Sequence, residues 1–317
     1  MFKNFMKWMI FMTVIITFSS NSWFIFWLMM ELNLLLFVPI MNLKKMNNAN
    51  CMISYFVIQS FSSTLFFISA LNLNMIYMNL FELMLSISLM IKLAVIPFHF
   101  WLTNLSELID FTSLFLILTV QKLIPLFIIS TINLKLLIIF ALLSSIFGSL
   151  FVFNMKMLKK ILIFSSISHQ GWMISLILVK SNFWISYMII YSMLIYKITS
   201  LFSQNNCYTI IHFLKKNKVE DKMNFCMLML SLGGMPPFFG FIMKLMSIII
   251  IIKMGSMIIA ILIVSSMLNI FIYIRMISPN VFINLLNFKI SNMTYMSKNW
   301  LLNLNTMVTI FVINNMV

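Results

Sequence analysis

The stretch SLGGMPPFFGFIMKL, residues 231–245, decides the fold of this chain because it interrupts a long apolar segment. Runs of Ile, Leu, Met and Phe surround it, yet it holds two adjacent glycines, two adjacent prolines and a lysine. Proline has no N–H, so the carbonyl four residues back loses its helical partner. For Pro237 that carbonyl belongs to Gly233, and Lys244 follows in the next turns. The stretch therefore predicts a helix that breaks inside a membrane, beside a titratable amine.

The overall composition is that of a membrane protein. Of the 317 residues, 62% are hydrophobic and 9% are charged, whereas soluble domains carry about 25% charged residues. Strict alternation over roughly ten residues, the pattern of a membrane β-strand, does not occur. We therefore predict an all-α polytopic membrane protein with one transmembrane domain over 1–317. Its three cysteines are not closely paired, and no two histidines have metal-ligand spacing, so no cofactor or metal site is predicted in this chain.

Apolar segments of roughly 20 residues predict about eleven membrane-spanning helices. Two polar loops, 203–223 and 278–299, separate the later spans. The last span is rich in asparagine and is predicted to be short or peripheral. The predicted spans are 5–20, 22–40, 51–71, 79–100, 112–130, 134–153, 160–179, 183–202, 224–252, 256–277 and 300–317.

The basic residues in the loops and near the span ends are distributed unequally between the two sides of the membrane. Lys135, Lys180 and Lys253 lie on one side. The other side, which includes the N-terminus, carries Lys3, Lys7, Lys44, Lys45, Lys156, Lys159, Lys160, Lys215, Lys216, Lys218, Lys222, Arg275, Lys289 and Lys298. The positive-inside rule accounts for this asymmetry, so the net charge of +15 reflects membrane topology, and nucleic acid is not predicted as a partner. Abundant Ile, Met, Phe, Asn and Lys are typical of an AT-biased genome such as an invertebrate mitochondrion, where the positive side is the matrix.

Apart from the basic residues assigned to the two sides, four lysines lie within the predicted spans, Lys92, Lys122, Lys197 and Lys244, and Glu31 also lies well inside one. Such a group costs about 2.5–3.5 kcal/mol at the bilayer centre and usually faces an interior polar path. A lysine beside interior water can change protonation, whereas arginine stays charged. Glu31 is the predicted acidic partner of Lys92. Lys197 lies near the end of its span and is predicted to extend its amine to the interface.

Three of these lysines lie near prolines, whose orphaned carbonyls require polar surroundings inside the bundle. A single proline kink is also common in membrane helices and often has only a structural role. The functional interpretation therefore depends on three lysines near prolines occurring together with a glutamate inside a span. The carbonyls predicted to lack helical partners are those of Leu93, Gln121, Leu232 and Gly233.

His169 lies within a span among three serines, in SSISHQGWM. A neutral imidazole with serine neighbours fits a hydrogen-bonded proton relay, and a polar contact between two helices is the alternative interpretation. His99 lies at the end of its span, and it is predicted about equally as part of such a relay and as a residue at the membrane interface.

The chain resembles the subunit 2 family of mitochondrial NADH:ubiquinone oxidoreductase, respiratory complex I. The resemblance rests on five segments in order, at similar spacing: WLMMELNLLLFVPIM, IKLAVIPFHFW, TVQKLIP, SSISHQGWM and SLGGMPPFFGFIMKL. It implies an antiporter-like bundle of two inverted repeats, with discontinuous helices at PFHFW and GGMPP. It also implies a proton-translocation path through residues that match the family's central hydrophilic axis, namely Glu31, Lys92, Lys122, His169 and Lys244.

The resemblance further implies a subunit of the mitochondrial inner membrane that moves protons and has no redox centre. FMN, iron–sulfur clusters and ubiquinone are expected in other subunits. Expected partners are neighbouring antiporter-like and small membrane subunits and the lipid bilayer, with cardiolipin as a candidate lipid. Two alternatives remain open from the sequence: a structural spacer of the membrane arm that moves no protons, and a stand-alone cation/proton antiporter.

Overall fold

A computed structural model describes residues 2–41, 47–72, 78–132, 136–216 and 219–286. These residues fold into helices, and the described ranges contain an isolated bridge between Met157 and Thr209 but no strand. The prediction of an all-α protein is confirmed. The helices are α1 Phe2–Ser19, α2 Trp23–Met41, α3 Asn47–Leu71, α4 Met78–Leu93, α5 Phe100–Leu105, α6 Phe111–Leu118, α7 Val120–Thr131, α8 Leu137–Val152, α9 Leu158–Leu178, α10 Phe183–Asn205, α11 Ile210–Lys216, α12 Val219–Gly233, α13 Phe239–Ile251 and α14 Ser256–Leu286, with a 3-10 turn at Ile252–Met254 between the last two.

Two predicted spans are discontinuous helices, as the prolines indicated. The span predicted at 79–100 ends as a regular helix at Leu93 and unwinds before α5 begins. The span predicted at 224–252 unwinds between α12 and α13, over the segment that holds the two glycines and two prolines. Because proline cannot complete the helical hydrogen-bond ladder, each break opens backbone groups within the bundle. The prediction of discontinuous helices is confirmed.

A third break was not predicted. The sequence predicted one span at 112–130 with a kink caused by Pro125, but α6 and α7 are separated at Thr119. The Thr119 hydroxyl donates to the Phe115 carbonyl at 2.7 Å, and the Thr119 N–H donates to the same carbonyl at 3.1 Å. A threonine side chain that bonds the carbonyl four residues back competes with regular helix geometry. As a result, Lys122 lies at the start of a new helix.

Helix α9 forms the centre of the bundle. Nearly all its residues are buried, and it contacts α5, α6, α7, α8, α10, α13 and α14. Small residues allow α8 to approach it closely. A Cβ added to Gly171 would lie 2.5 Å from the Ala141 carbonyl oxygen, and one added to Gly148 would lie 2.8 Å from the Ser168 nitrogen. The polar side chains of α9 are therefore held in the interior.

Several predicted boundaries need correction. Six segments of the described chain are long and apolar enough to cross a membrane, so the count of eleven spans is not established. The breaks explain part of the difference, since α4, α12 and α13 have 16, 15 and 13 residues, fewer than the roughly 20 needed. The predicted loop 203–223 contains α11, and the loop 278–299 begins inside α14. The predicted span 300–317 lies outside the described residues.

Candidate functional site

The three predicted lysines and His169 are all buried. Lys92 is 8% exposed at the end of α4, Lys122 3% exposed in α7, His169 1% exposed in α9 and Lys244 6% exposed in α13. Glu31 is half-buried in α2. Burial separates the three lysines and His169 from Lys197, which is half-buried in α10 and fits a residue that extends its amine to the interface.

Glu31 and Lys92 each form a hydrogen bond with helix α3. The Ser63 hydroxyl donates to Glu31 Oε2 at 2.5 Å. Lys92 Nζ donates to the Gln59 carbonyl at 3.5 Å, a long hydrogen bond one turn away on α3. No ion pair within 4.0 Å joins Glu31 and Lys92 in the described part of the chain, although the two charges interact at longer range. Their pairing is therefore indirect in this conformation, with α3 between them.

A small polar cavity connects the first two lysines. It has a volume of about 20 Å³, and both Lys92 and Lys122 line it. One buried water needs roughly 10–15 Å³ of such space and two to four polar partners. Asn33, Gln59 and Gln121 also line the cavity, and Gln121 Nε2 donates to Asn33 Oδ1 at 2.9 Å. The space and its polar lining suit one water molecule between the two amines.

Two side chains one turn apart on α9 hold the Lys122 amine. Lys122 Nζ donates to Ser166 Oγ at 3.1 Å. With the amide oriented so that its oxygen faces this amine, Gln170 accepts from Lys122 Nζ at 3.1 Å and donates to the Leu93 carbonyl at 3.2 Å. The Leu93 carbonyl is one of those predicted to lose its helical partner, and the Gln170 amide supplies the missing hydrogen-bond donor. Gln170 thus joins Lys122 to the break that follows Lys92.

Gln170 was missed in the sequence analysis. The signal that could have found it is its position, beside His169 and four residues after Ser166, which puts it on the serine face of the same helix. Its long-range partner on α4 is not readable from the sequence.

His169 lies between the second and third lysines. It interacts electrostatically with both Lys122 and Lys244. Its Nδ1 is 2.8 Å from the hydroxyl of Tyr187 on α10, while its Nε2 is buried with no hydrogen-bond partner among the described residues. The neighbouring Ser168 hydroxyl accepts from Asn269 of α14 at 2.9 Å. His169 therefore makes a helix–helix contact, which is one of the two alternatives that the sequence offered, and its relay role stays a prediction.

Lys244 lies beside the break between α12 and α13. Its Nζ donates to the Gly233 carbonyl at 2.5 Å, the carbonyl that Pro237 deprives of a helical partner. Its stem crosses Gly234, where an added Cβ would lie 2.9 Å from Lys244 Cδ and where φ is +83°. Glycine adopts this conformation without strain. The break thus provides both the acceptor and the space that the amine requires.

Two further buried polar side chains, those of His99 and Lys159, pack against aromatic rings. His99 is buried against the rings of Phe100, Phe151 and Phe164, and its position relative to the membrane interface stays a prediction. Lys159 donates to the Ile109 carbonyl at 2.5 Å and lies over two aromatic rings near the start of α9. Across the described ranges, no three His, Cys, Asp or Glu side chains meet to hold a metal ion.

Comparison with known proteins identifies the family to which this arrangement belongs. Residues 68–269 match the family described as NADH:quinone oxidoreductase/Mrp antiporter, transmembrane. The chain is 47% identical over 311 residues to NADH-ubiquinone oxidoreductase chain 2 of Rhipicephalus sanguineus, covering 98% of this chain and 99% of the relative. It is 32% identical to the protein of that name from Anopheles gambiae, covering 73% of this chain and 71% of the relative.

Solved structures show the same fold. A chain of respiratory complex I from Thermus thermophilus matches with a TM-score of 0.75 at 19% identity, over 83% of this chain. A chain of the Mrp complex from Dietzia matches with a TM-score of 0.69 at 17% identity, also over 83% of this chain. The chain spans 66% and 57% of the length of those two solved chains. The resemblance predicted from the five motifs is confirmed, and the chain belongs to the NADH-ubiquinone oxidoreductase chain 2 family, the antiporter-like subunits of the membrane arm of respiratory complex I.

Proposed function

We propose that this chain translocates protons across the mitochondrial inner membrane as a subunit of complex I. The observation that carries the proposal is the buried row of Lys92, Lys122, His169 and Lys244, whose first two amines share one polar cavity. Buried ionisable groups in a membrane interior typically mark an ion or proton pathway. Lysine suits this role because its amine can release a proton, whereas a guanidinium stays charged.

The contacts suggest an order of transfer. A change in the neighbouring subunits moves the Glu31 carboxylate relative to Lys92 and alters the proton affinity of that amine. The proton passes to Lys122 through the shared cavity, then across the region of His169 to Lys244, which exchanges with the outer side. Gln170 and Ser166 hold Lys122 within reach of both neighbours.

The energy for transfer must come from outside this chain. Each charge moved against the membrane potential requires about 2.3 kcal/mol per 100 mV. We assign NADH oxidation and quinone reduction, with FMN, iron–sulfur clusters and ubiquinone, to other subunits of the complex. The partners of this chain are accordingly neighbouring antiporter-like and small membrane subunits, with cardiolipin as a candidate lipid. The asymmetry of basic residues supports an N-terminus on the matrix side.

The Lys92→Met substitution tests the proposal. The variant complex, reconstituted in liposomes, should assemble and oxidise NADH, but its ratio of protons moved to electrons transferred should fall. Lys197→Met is the matched control, because it removes an intramembrane lysine outside the buried row. A normal ratio in the Lys92→Met complex would refute the role of Lys92 and favour a spacer that moves no protons.

A stand-alone cation/proton antiporter is the second candidate, and the fold shared with a chain of the Mrp complex favours it. The chain purified alone and placed in liposomes with an imposed pH gradient discriminates the two functions. A stand-alone antiporter exchanges cations for protons under these conditions. We expect no exchange, because in our proposal the chain needs redox-driven change from its partners.

A further inference from the structure

A hydrogen bond joins the His169 ring to Tyr187 in the interior of the bundle. His169 Nδ1 and the Tyr187 hydroxyl are 2.8 Å apart, and both side chains are buried. The other nitrogen, Nε2, is buried with no partner in the chain as described. A neutral histidine carries one proton, on either nitrogen. The groups around the His169 ring therefore determine which tautomer is present.

Two further tyrosines surround this bond. Tyr191 of α10 and Tyr273 of α14 interact electrostatically with Tyr187, and the ring of Tyr191 lies 5.2 Å from that of His169. The hydroxyls of Tyr191 and Tyr273 are both buried without hydrogen-bond partners. Neither hydroxyl is within hydrogen-bond distance of the Tyr187 hydroxyl, so His169 is its hydrogen-bond partner among the described side chains.

The serines near these tyrosines do not compete as donors. Tyr191 lies beside Ser166 and Tyr273 beside Ser165, without reaching hydrogen-bond geometry. Ser165 donates its hydroxyl proton to the Leu162 carbonyl at 2.9 Å. Ser166 likewise donates to the carbonyl of Ile163 at 2.6 Å. Toward the tyrosine hydroxyls, both serine oxygens can therefore act only as acceptors.

We propose that Tyr187 is a positioning residue that accepts a hydrogen bond from the protonated Nδ1 of His169 and leaves Nε2 as the nitrogen that exchanges protons. When His169 carries both ring protons, Nδ1–H must donate, and the Tyr187 hydroxyl is the described group within hydrogen-bond distance of it. Keeping this bond in the neutral ring leaves the Nε2 lone pair to take up the proton. This inference rests on the proposed proton translocation and deepens it. It assigns to Tyr187 a role that the sequence motifs did not suggest.

In this arrangement the Nδ1 hydrogen bond is the same in both charge states of His169. A proton leaves the Lys122 ammonium, so one Nζ–H bond breaks, and a new N–H bond forms at Nε2 through bridging water. The imidazolium then gives that proton from Nε2 to the neutral amine of Lys244. Throughout, Nδ1–H donates to the Tyr187 hydroxyl.

The groups that face His169 are all cationic or neutral. They are Lys122 from α7, Lys244 from α13, Tyr187 and Tyr191 from α10, and Tyr273 from α14 through Tyr187. The described residues place no carboxylate among its electrostatic neighbours. Consequently a hydroxyl acceptor, and not a carboxylate, must orient the ring.

The Tyr187→Phe substitution tests the inference in the reconstituted complex, because it removes one hydroxyl and keeps the ring. Proton transfer coupled to NADH oxidation should slow by about 10-fold or more, the factor for losing one hydrogen bond to a charged group. Tyr196→Phe, on the exposed face of the same helix, is the control and should behave as wild type. A merely structural tyrosine would tolerate phenylalanine.

Infrared difference spectra with ring-15N histidine provide the second readout, with the His169→Gln complex as the blank. We expect the His169 bands of an Nδ1-protonated ring in wild type and their loss in Tyr187→Phe. If Tyr187→Phe does not assemble, the wild-type spectrum alone decides, since an Nε2-protonated neutral ring overturns the inference.

Different results would refute the proposed proton translocation and the inference about Tyr187. If His169→Gln and Lys92→Met both leave the proton-to-electron ratio unchanged, the proposed function fails. If those variants lower the ratio while Tyr187→Phe changes neither the ratio nor the histidine bands, only the inference about Tyr187 fails.

Discussion

Replacing Lys244 tests whether this side chain carries protons or serves only as a fixed structural cation. Lys244→Met removes the hydrogen bond to the Gly233 carbonyl, and a hydrogen bond from a charged group contributes about 1.5–3 kcal/mol. It also removes an ionisable group from the membrane interior, where such a group costs about 2.5–3.5 kcal/mol. The two effects nearly offset each other, so the variant should assemble with little change in stability. Its coupled proton transfer should nevertheless be lost.

Lys244→Arg sharpens the test, because arginine keeps the charge and the donor but does not release its proton. We expect the Arg complex to oxidise NADH and to lose the same proton flux as Lys244→Met, measured as the proton-to-electron ratio in liposomes. Lys253→Met, an exposed lysine just beyond the same helix, is the control and should keep the wild-type ratio. A wild-type ratio in the assembled Arg variant would refute the relay role and indicate that Lys244 only holds the break.

Two further predictions concern contacts that hold the row of side chains. Gly240→Ala would drive a Cβ into the Ser231 carbonyl oxygen, so α13 must shift. Overpacking of this kind costs about 1–3 kcal/mol or more, and thermal unfolding of the complex should reveal a less stable membrane arm. Gln170→Leu leaves the Leu93 carbonyl and one donor of Lys122 without a partner; we expect a loss of about 1–3 kcal/mol and weaker proton transfer, with Gln170→Glu, which keeps the acceptor for Lys122, retaining more of the flux. Equal flux in the Leu and Glu variants would contradict the bridging role of Gln170.

The breaks beside Lys92 and Lys244 could be predicted because their cause is local in the sequence. Proline removes a donor and leaves a specific carbonyl without a partner, so Leu93 and Gly233 were identifiable from position alone. Each of these carbonyls has a polar partner in the structure, Gln170 and Lys244 respectively. The energetic penalty of an unpaired carbonyl in lipid makes this part of the site readable.

Other features depend on contacts between residues far apart in the chain. Gln170 binds a carbonyl on α4, and Tyr187 binds His169 from the next helix. Neither residue type has a distinctive spacing, so no local pattern indicates its partner. The break at Thr119 was also missed, because threonine occurs within many helices and its side chain distorts only some of them. The indirect contact of Glu31 with Lys92 depends on how α3 packs between them.

A map of the intact complex that resolves ordered water tests the central claim most directly, namely that one hydrated polar path joins the buried amines. We predict an ordered water in the cavity of about 20 Å³ between Lys92 and Lys122, and a second water bonded to Nε2 of His169. An acyl chain in that cavity, or dry compartments that isolate the amines from one another, would contradict the account.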